Sequence, residues 1–265
     1  MVGLIDGPVA MDHPDLSTAH IREVTGKQSA SCSLASSVAC MHGTFVAGML
    51  CARRGSSAPA ICPECTLLVR PIFPESSSAN GEMPSASPEE LATAITDVIG
   101  AGANVINLSA ALLQASLRGV RQLEQVLDYA AQRGVLIVAA AGNQGTVGSS
   151  AITRHPWVIA VIGRDLEGRP TAESNLGSSI GRWGLSAPGQ NITSLGTDGK
   201  PQTSGGTSVA APFVTGAIAL LWSEFPGASA AAIKLVVTQA GKRSRRVIAP
   251  PLLDTWAAYE TMGVN

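Results

Sequence analysis

Short apolar runs alternate with longer amphipathic segments along this chain, and the alternation predicts its secondary structure. The apolar runs have the length of buried strands, and we predict strands at Val2–Ile5, Leu67–Phe73, Val105–Leu108, Val135–Ala140 and Val158–Ile162. Segments with a helical spacing of apolar residues lie at 43–52, 88–100, 117–133 and 207–223. Strands that alternate with helices favour βαβ units, so we predict an α/β fold with a mostly parallel central sheet flanked by helices.

Local signals mark the ends of several helices. Ser87 precedes Pro88 and stands three residues before Glu90, which is the arrangement of a capping serine with proline at the first helical position. Gly100 and Gly134 follow helical segments and are expected to end them. These signals support a regular succession of strands and helices.

Composition and charge narrow the class of protein. The chain has 265 residues, of which 45% are hydrophobic and 14% charged, so we predict that residues 1–265 form a single domain with a large core. A formal net charge of -1 gives no electrostatic reason to expect nucleic acid or an anionic membrane as partner. No run reaches the ~18 apolar residues of a membrane span, and the first apolar run is too short for an export signal. We therefore predict a cytoplasmic protein.

All five cysteines lie in the first quarter of the chain, at Cys32, Cys40, Cys51, Cys62 and Cys65. An odd number leaves at least one thiol unpaired within the monomer. Three interpretations remain open. The cysteines are all reduced, as is usual in the cytosol; or some form a local disulfide near His42; or Cys62 and Cys65 join Cys32 and Cys40 in a zinc site.

Three polar residues stand where predicted strands end or predicted helices begin. Asp6 ends the first strand, His42 stands at the start of a helix, and Ser208 stands at the start of another. In open α/β sheets, functional sites form outside the carboxyl ends of the strands. These residues lie far apart in sequence, but they are expected to converge at one edge of the sheet.

Such a convergence would serve nucleophilic catalysis. A serine hydroxyl becomes a nucleophile when a base removes its proton, and the imidazole of His42 can act as that base because its ordinary pKa is ~6.5. Asp6 would accept a hydrogen bond from the other ring nitrogen and stabilise the imidazolium. Backbone N–H groups at the helix start near Ser208 would face a developing oxyanion. Gly206 would let a substrate backbone approach closely.

A fourth segment ends a predicted strand with a side-chain amide at Asn143, which could donate a hydrogen bond to the same oxyanion. Taken singly, Asp6, His42, Asn143 and Ser208 are each also explained as a turn or helix-cap residue. Their occurrence together, with apolar strands before Asp6 and Asn143, favours a catalytic site.

These segments resemble the subtilisin-like (S8, subtilase) serine proteases, whose catalytic residues follow the chain order Asp, His, Ser. The resemblance runs nearly end to end and rests on Leu4–Pro8, His13–Leu16, His42–Gly48, Val105–Ser109, Val138–Gly145, Ala187–Gly189 and Gly205–Pro212. It implies a subtilisin-like three-layer fold, a single catalytic domain and a serine endopeptidase. In that family pattern Ser208 is the nucleophile, His42 the general base, Asp6 its orienting residue and Asn143 the oxyanion donor.

The resemblance also implies how a peptide substrate would bind. The strand at Ser109, Ala110 and Ala111 would pair with the substrate backbone. The segment Ala140, Ala141 and Gly142 would form one wall of the pocket for the residue before the scissile bond. No cofactor is implied. The family's calcium sites are not supported, since the chain has no sufficiently acidic loop, and we predict no metal site.

Three departures from the common family pattern stand out: Phe45 in place of a second histidine, Ala110-Ala111 in place of Leu-Gly, and Asp6-Gly7-Pro8-Val9 in place of Asp-Ser/Thr-Gly. With the segment 60–73, the Asp6 variant is similar to the PatA-like proteases of cyanobactin and ribosomal-peptide maturation. The implied substrate is then a precursor peptide from which the leader is cleaved.

Two alternative functions stay open at this point. The first is a macrocyclase of the same family, in which a peptide amine attacks the acyl-enzyme; the short segment between Asp6 and His42 has no room for the helical insertion that such cyclases carry. The second is an inactive subtilase fold that binds peptides. The catalytic positions are all filled by competent residue types, which argues against it.

Overall fold

A computed structural model describes residues 1–76, 85–109, 117–240 and 248–263. Seven strands form one sheet, and all of its neighbouring strands run parallel. In chain order they are β1 (Val2–Asp6), β2 (Ile21–Glu23), β3 (Leu67–Pro71), β4 (Val105–Leu108), β5 (Leu136–Ala140), β6 (Val158–Arg164) and β7 (Leu185–Pro188). Two further strands, β8 (Ile192–Leu195) and β9 (Pro201–Ser204), form a separate antiparallel hairpin.

Within the described ranges, seven α-helices connect or flank these strands. They are α1 (Val38–Cys51), α2 (Pro88–Gly100), α3 (Leu117–Gln132), α4 (Ser178–Trp183), α5 (Thr207–Glu224), α6 (Ala230–Gln239) and α7 (Thr255–Gly263). A short 3-10 helix covers Pro14–Leu16. None of the helices in the described ranges combines the length and the hydropathy needed to span a bilayer.

The order of the sheet is β2-β3-β1-β4-β5-β6-β7. The chain therefore builds outward from β1 in two directions, toward β3 on one side and toward β4 on the other. At such a switch point the connections leave in opposite directions and open a crevice beyond the strand's carboxyl end. Asp6 is the last residue of β1 and lies at the edge of this crevice.

Two apolar cores cover the two faces of the sheet. Strand residues such as Leu4 and Val138 pack with α1 and α5 on one face. Their neighbours in sequence, such as Ile5 and Ile137, pack with α2 and α3 on the other face. Because successive strand side chains point to opposite faces, the continuous apolar runs fill both cores. The predicted three-layer arrangement of helices, sheet and helices is confirmed.

The predicted strands agree with the structure to within two residues at each end, and the predicted cap of α2 is confirmed: the Ser87 hydroxyl accepts a hydrogen bond from Glu90 N at 3.1 Å. One boundary is wrong. We predicted a helix from residue 43, with His42 at its start, whereas α1 begins at Val38 and His42 lies in its second turn. The serine-rich stretch before Val38 shows no apolar periodicity. The first turn of α1 is instead stabilised by contacts with the rest of the fold.

Candidate active site

The buried carboxylate of Asp6 forms the base of the site. Its side chain has no solvent exposure, and its Oδ1 accepts hydrogen bonds from Gly7 N and from His42 Nδ1, each at 2.7 Å. Its Oδ2 is buried and has no hydrogen-bond partner among the described residues. A buried carboxylate is stabilised by the donors around it, so the contact with His42 is one of the two that hold this group.

Close packing of α1 against the segment after β1 brings His42 to Asp6. A Cβ at Gly7 would lie 1.9 Å from Ala39 O, and a Cβ at Gly43 would lie 2.3 Å from Pro8 O. Only glycine fits at either position, since these contacts are with backbone atoms that cannot rotate away. Thr44 Oγ1 also accepts a hydrogen bond from Ala10 N at 2.9 Å, which fixes the helix along the segment.

Ser208 lies in the first turn of α5, the helix that crosses β4 to β7. Its Oγ is 2.9 Å from His42 Nε2. A continuous chain of hydrogen bonds therefore joins Asp6, His42 and Ser208. The structure brings together three residues that the sequence placed at the ends of separate elements.

The electrostatic surroundings of His42 favour its protonated form. Burial acts most strongly and by itself would lower the pKa of the imidazole. The negative charge of Asp6 and its hydrogen bond to Nδ1 act in the opposite direction and together outweigh burial, so the pKa of His42 is raised above its ordinary value. The pair can thus take up a proton from a neighbouring hydroxyl and hold it.

Asn143 follows β5 and reaches the start of α5. Its Oδ1 accepts two hydrogen bonds from Thr207, one from the backbone N and one from Oγ1, both at 2.9 Å. Thr207 Oγ1 in turn accepts from Gly142 N at 3.1 Å. Because both of these donors bind Oδ1, the amide is oriented and its Nδ2 is the end left to donate elsewhere. Thr207 was not predicted to be a functional residue, although it lies within the segment Gly205–Pro212.

The residues predicted to bind substrate lie around this centre, as far as the structure describes them. Gly206 is buried with a φ of 111°, and a Cβ there would be 3.0 Å from Asn143 Nδ2. The segment Ala140–Gly142 begins at the end of β5. Its Ala141 N donates a hydrogen bond to Val161 O, and its Gly142 N donates one to Thr207 Oγ1. Ala110 and Ala111 lie outside the described residues.

The side chain of Ser109 is hydrogen-bonded within the fold, so this residue does more than contact substrate. It is 7% exposed, and its Oγ accepts a hydrogen bond from Asn107 Nδ2 at 3.0 Å. Asn107 Oδ1 accepts in turn from Thr215 Oγ1 at 2.9 Å. These bonds join the end of β4 to α5. The backbone N of Ser109 also donates to Ile5 O at 3.4 Å, so pairing of this residue with a peptide would use its backbone carbonyl.

Phe45, which replaces a second histidine, packs in a small apolar cluster with Met49 and Val209. The cluster joins α1 to α5 directly behind His42 and Ser208. Phe45 therefore makes an apolar contact between the two helices that carry the site.

The cysteines show two states. Cys32 and Cys40 form a disulfide with their Cα atoms 5.7 Å apart, whereas Cys51, Cys62 and Cys65 are free thiols. The local disulfide near His42 is therefore the interpretation that the structure supports. The interpretation with five reduced thiols and the four-cysteine zinc site are both wrong, because oxidised Cys32 and Cys40 cannot supply thiolates. Cys40 lies in the first turn of α1, so the disulfide holds the turn that the sequence pattern did not predict.

Among the described residues, one group could in principle ligate a metal: Cys32, Cys40 and Glu75. The two sulfur atoms are already bonded to each other. The Glu75 carboxylate accepts from the backbone N of Ser33 at 2.9 Å and of Leu34 at 2.8 Å. The donor set does not fit a metal ion, and Glu75 instead holds the loop that contains Cys32.

Thiol counting tests the disulfide. In denaturant without reductant we expect three thiols per chain, and five after reduction. In the native protein we expect alkylation first at Cys65, because its hydrogen bond with Cys62 lowers the pKa of the Cys65 thiol, whereas burial raises the pKa of Cys51 to about 12. Mass spectrometry of alkylated peptides measures both. Five thiols without reductant would contradict the disulfide.

Comparison with known proteins extends these observations over the whole chain. Residues 1–250 match the subtilase family, Peptidase_S8. The "Thermostable alkaline protease" of Halalkalibacterium halodurans is 33% identical over 186 residues, which cover 70% of this chain and 48% of that protein. The chain thus spans about half the length of this relative.

Two solved structures are similar over nearly their full lengths. A mutant of the protease domain of PatA superimposes with a TM-score of 0.88 and 30% identity, covering 100% of this chain and 95% of that one. The prenylagaramide maturation protease PagA has a TM-score of 0.83 and 28% identity, covering 98% of this chain and 92% of that one.

The family match includes the end of β1, the segment after β5, helix α1 and the start of α5, which carry the hydrogen-bonded residues described above. The predicted subtilisin-like fold is confirmed by these similarities and by the parallel sheet. The chain belongs to the subtilase family.

Proposed function

We propose that this chain is a serine endopeptidase in which Ser208 is the nucleophile, His42 the general base and Asp6 the residue that orients His42. The observation that carries the proposal is the chain of two hydrogen bonds, 2.7 Å from Asp6 to His42 and 2.9 Å from His42 to Ser208. The distances and the order of groups are those that activation of a serine hydroxyl requires. Family membership supports the same activity.

The reaction follows from this geometry. Ser208 Oγ attacks the carbonyl carbon of the peptide bond while its proton passes to His42 Nε2. The carbonyl oxygen becomes an oxyanion that accepts hydrogen bonds from Asn143 Nδ2 and from the backbone N–H of Ser208. His42 then gives its proton to the leaving amine, and the C–N bond breaks. Water, deprotonated by His42, attacks the resulting ester. The bond to Ser208 Oγ then breaks, His42 returns the proton to Oγ, and the acid product leaves.

The proposed substrate is a peptide bound in extended form along the end of β4. Strand β4 pairs with β5 so that Leu108 faces Ala139, which places Ser109 beside the start of the Ala140–Gly142 segment. A peptide that pairs with Ser109, Ala110 and Ala111 would present alternate side chains toward that segment. Similarity to the maturation protease PagA supports a narrower proposal, in which the substrate is a ribosomally made precursor and cleavage removes its leader.

Two further proposals concern the chain as a whole. We propose that residues 1–265 act as a single subtilase catalytic domain, which is supported by the family match over 1–250 and by coverage of the full chain by the PatA protease domain. We also propose a cytoplasmic location, where a precursor peptide would be made. Cell fractionation tests the location.

Covalent labelling tests the proposed function. We expect a biotinylated fluorophosphonate to label the protein at Ser208, because displacement of fluoride at phosphorus requires an activated serine hydroxyl. Tryptic mass spectrometry identifies the labelled residue. Absence of labelling in the folded protein would contradict the protease and favour an inactive peptide-binding fold.

A peptide library read by mass spectrometry distinguishes hydrolysis from cyclisation. We expect linear products, each accounted for by addition of water across one peptide bond. The stretch from Asp6 to α1 is fully described and contains the 3-10 helix and β2. It therefore has no α-helix that could shield the acyl-enzyme from water. Products lighter than the linear form by one water would instead assign a macrocyclase.

A further inference from the structure

The loop that carries Asn143 is held by one side chain from a distant part of the sequence, Asn175. This residue lies between β6 and α4, and its side chain is partly buried. Its amide makes contacts on both sides of Asn143. No motif marks it in the sequence.

The carbonyl end of Asn175 binds the loop after Asn143. Its Oδ1 accepts three hydrogen bonds, from Gln144 N, from Thr146 N and from Thr146 Oγ1, each at 3.1 Å. Two of these donors are backbone groups of the turn that follows Asn143. A backbone turn with its N–H groups bonded in this way is fixed in position relative to the acceptor.

The side-chain amide nitrogen of Asn175 binds the loop on both sides of Asn143. Its Nδ2 donates to Ala141 O at 3.2 Å and to Gln144 Oε1 at 2.6 Å. The backbone adds a further bond, from Asn175 N to Gly142 O at 2.9 Å. Gly142 has a φ of 104°, and a Cβ there would be 2.3 Å from Asn175 Nδ2, so the loop fits closely around this amide.

Asn143 is thus held from two directions. Thr207 orients its side-chain amide through Oδ1, and Asn175 holds the backbone at residues 141, 142, 144 and 146. The position of Asn143 Nδ2 depends on both, because a side chain can be no better placed than the backbone that carries it.

We propose that Asn175 is a positioning residue of the active site: it holds the loop so that Asn143 Nδ2 meets the oxyanion in the transition state. The inference rests on the proposed protease function and names a further residue on which that function depends. Asn175 acts through Asn143. An oxyanion donor contributes only when it is placed to within a fraction of an ångström, and a shift of about 1 Å can cost on the order of 100-fold in rate.

The test measures fluorophosphonate labelling as a function of probe concentration, which separates the maximal rate of covalent bond formation from the affinity for the probe. For Asn175→Ala we expect the maximal rate to fall about 10- to 100-fold with little change in affinity. Asn104→Ala is the matched control. Asn104 is an exposed asparagine at the opposite ends of the strands, where it accepts a hydrogen bond from the N-terminus, and its loss should leave the rate unchanged.

A double-mutant cycle shows whether Asn175 acts through Asn143. With Asn143→Ala already present, we expect Asn175→Ala to cost less than about twofold, since the donor that it positions is gone. A purely structural role would lower the rate by the same factor in both backgrounds, and that result would overturn the proposal. So would a single Asn175→Ala variant within threefold of wild type.

A second variant covers the case in which Asn175→Ala does not fold. Asn175→Asp is isosteric and keeps the three accepted hydrogen bonds while it loses the two donated ones. The second carboxylate oxygen would face Ala141 O and repel it, so we expect a loss of rate that again disappears when Asn143 is alanine; a loss that persists would contradict positioning. If wild-type protein itself is not labelled, the proposed function fails, whereas normal labelling of wild type and of Asn175→Ala refutes this inference alone.

Discussion

Replacement of Ser208 by alanine should lower peptide hydrolysis by a factor on the order of 10⁶, the scale on which removal of a triad residue acts in subtilisins. Without Oγ there is no acyl-enzyme, and the residual rate comes from binding and the oxyanion donors alone. The Ser208 side chain makes one hydrogen bond with His42, so loss of the hydroxyl should change the free energy of unfolding by only about 1 kcal/mol. Rates on a cleaved library peptide and thermal unfolding measure the two effects.

A variant with both Ser208→Ala and His42→Ala tests whether the two residues act together. In the proposed mechanism Ser208 and His42 act as one unit, so His42→Ala and the pair of substitutions together should give nearly the same residual rate as Ser208→Ala alone. Ser223→Ala is the matched control, because Ser223 is an exposed serine at the far end of the same helix. Activity retained by Ser208→Ala would show that another residue is the nucleophile, and losses that multiply in the double variant would show that Ser208 and His42 act independently.

Replacement of Asp6 by asparagine should lower kcat by about 10⁴-fold and move the acid limb of the pH profile to lower pH. His42 must be neutral to act as a base, so wild-type activity is lost as the pH falls through the raised pKa of His42. Removing the Asp6 charge leaves burial, which lowers the pKa of the imidazole. The protonated form then appears only at lower pH. The pH dependence of kcat/KM and the NMR titration of the His42 ring measure this shift.

The substitution Asp6→Asn should also lower the stability of the fold. At the position of Asp6 Oδ2, which is buried and has no partner among the described residues, an NH₂ group would lack an acceptor and destabilise the fold by about 1–3 kcal/mol. Asp128→Asn is the matched control, since Asp128 contacts His155 at 3.2 Å on the exposed surface. An acid limb that stays in place or moves to higher pH in Asp6→Asn would contradict the proposed role of Asp6.

Much of the fold follows from local patterns. The apolar runs at Val105–Leu108 and 136–140 and the capping serine at Ser87 each predict an element from a few neighbouring residues, and each is present. The start of α1 was not predicted because its stability comes from tertiary contacts: Ala39 O packs on Gly7 and Cys40 is bonded to Cys32. Neither contact leaves a periodic signal in the sequence.

The sequence by itself determined which chemical groups this protein presents: a carboxylate at Asp6, an imidazole at His42, an amide at Asn143 and a hydroxyl at Ser208. It placed Asp6 and Ser208 correctly at element ends, whereas His42 lies in the second turn of α1 and not at its start. Only the tertiary structure decided how they meet. Ser208 and His42 are 166 positions apart, yet Oγ and Nε2 lie 2.9 Å from each other because β1 is central in the sheet and α1 and α5 pack on the same face.

The same reason explains what the sequence did not reveal. Local propensity acts over one or two turns, whereas the contacts of Thr207 and Asn175 with the Asn143 loop arise from the order in which strands and helices assemble. The disulfide pairing was likewise undecided by spacing and follows from the approach of the loop at Cys32 to the first turn of α1. Residue types and most element ends are properties of short segments, whereas the start of α1 and the distances between segments are properties of the fold.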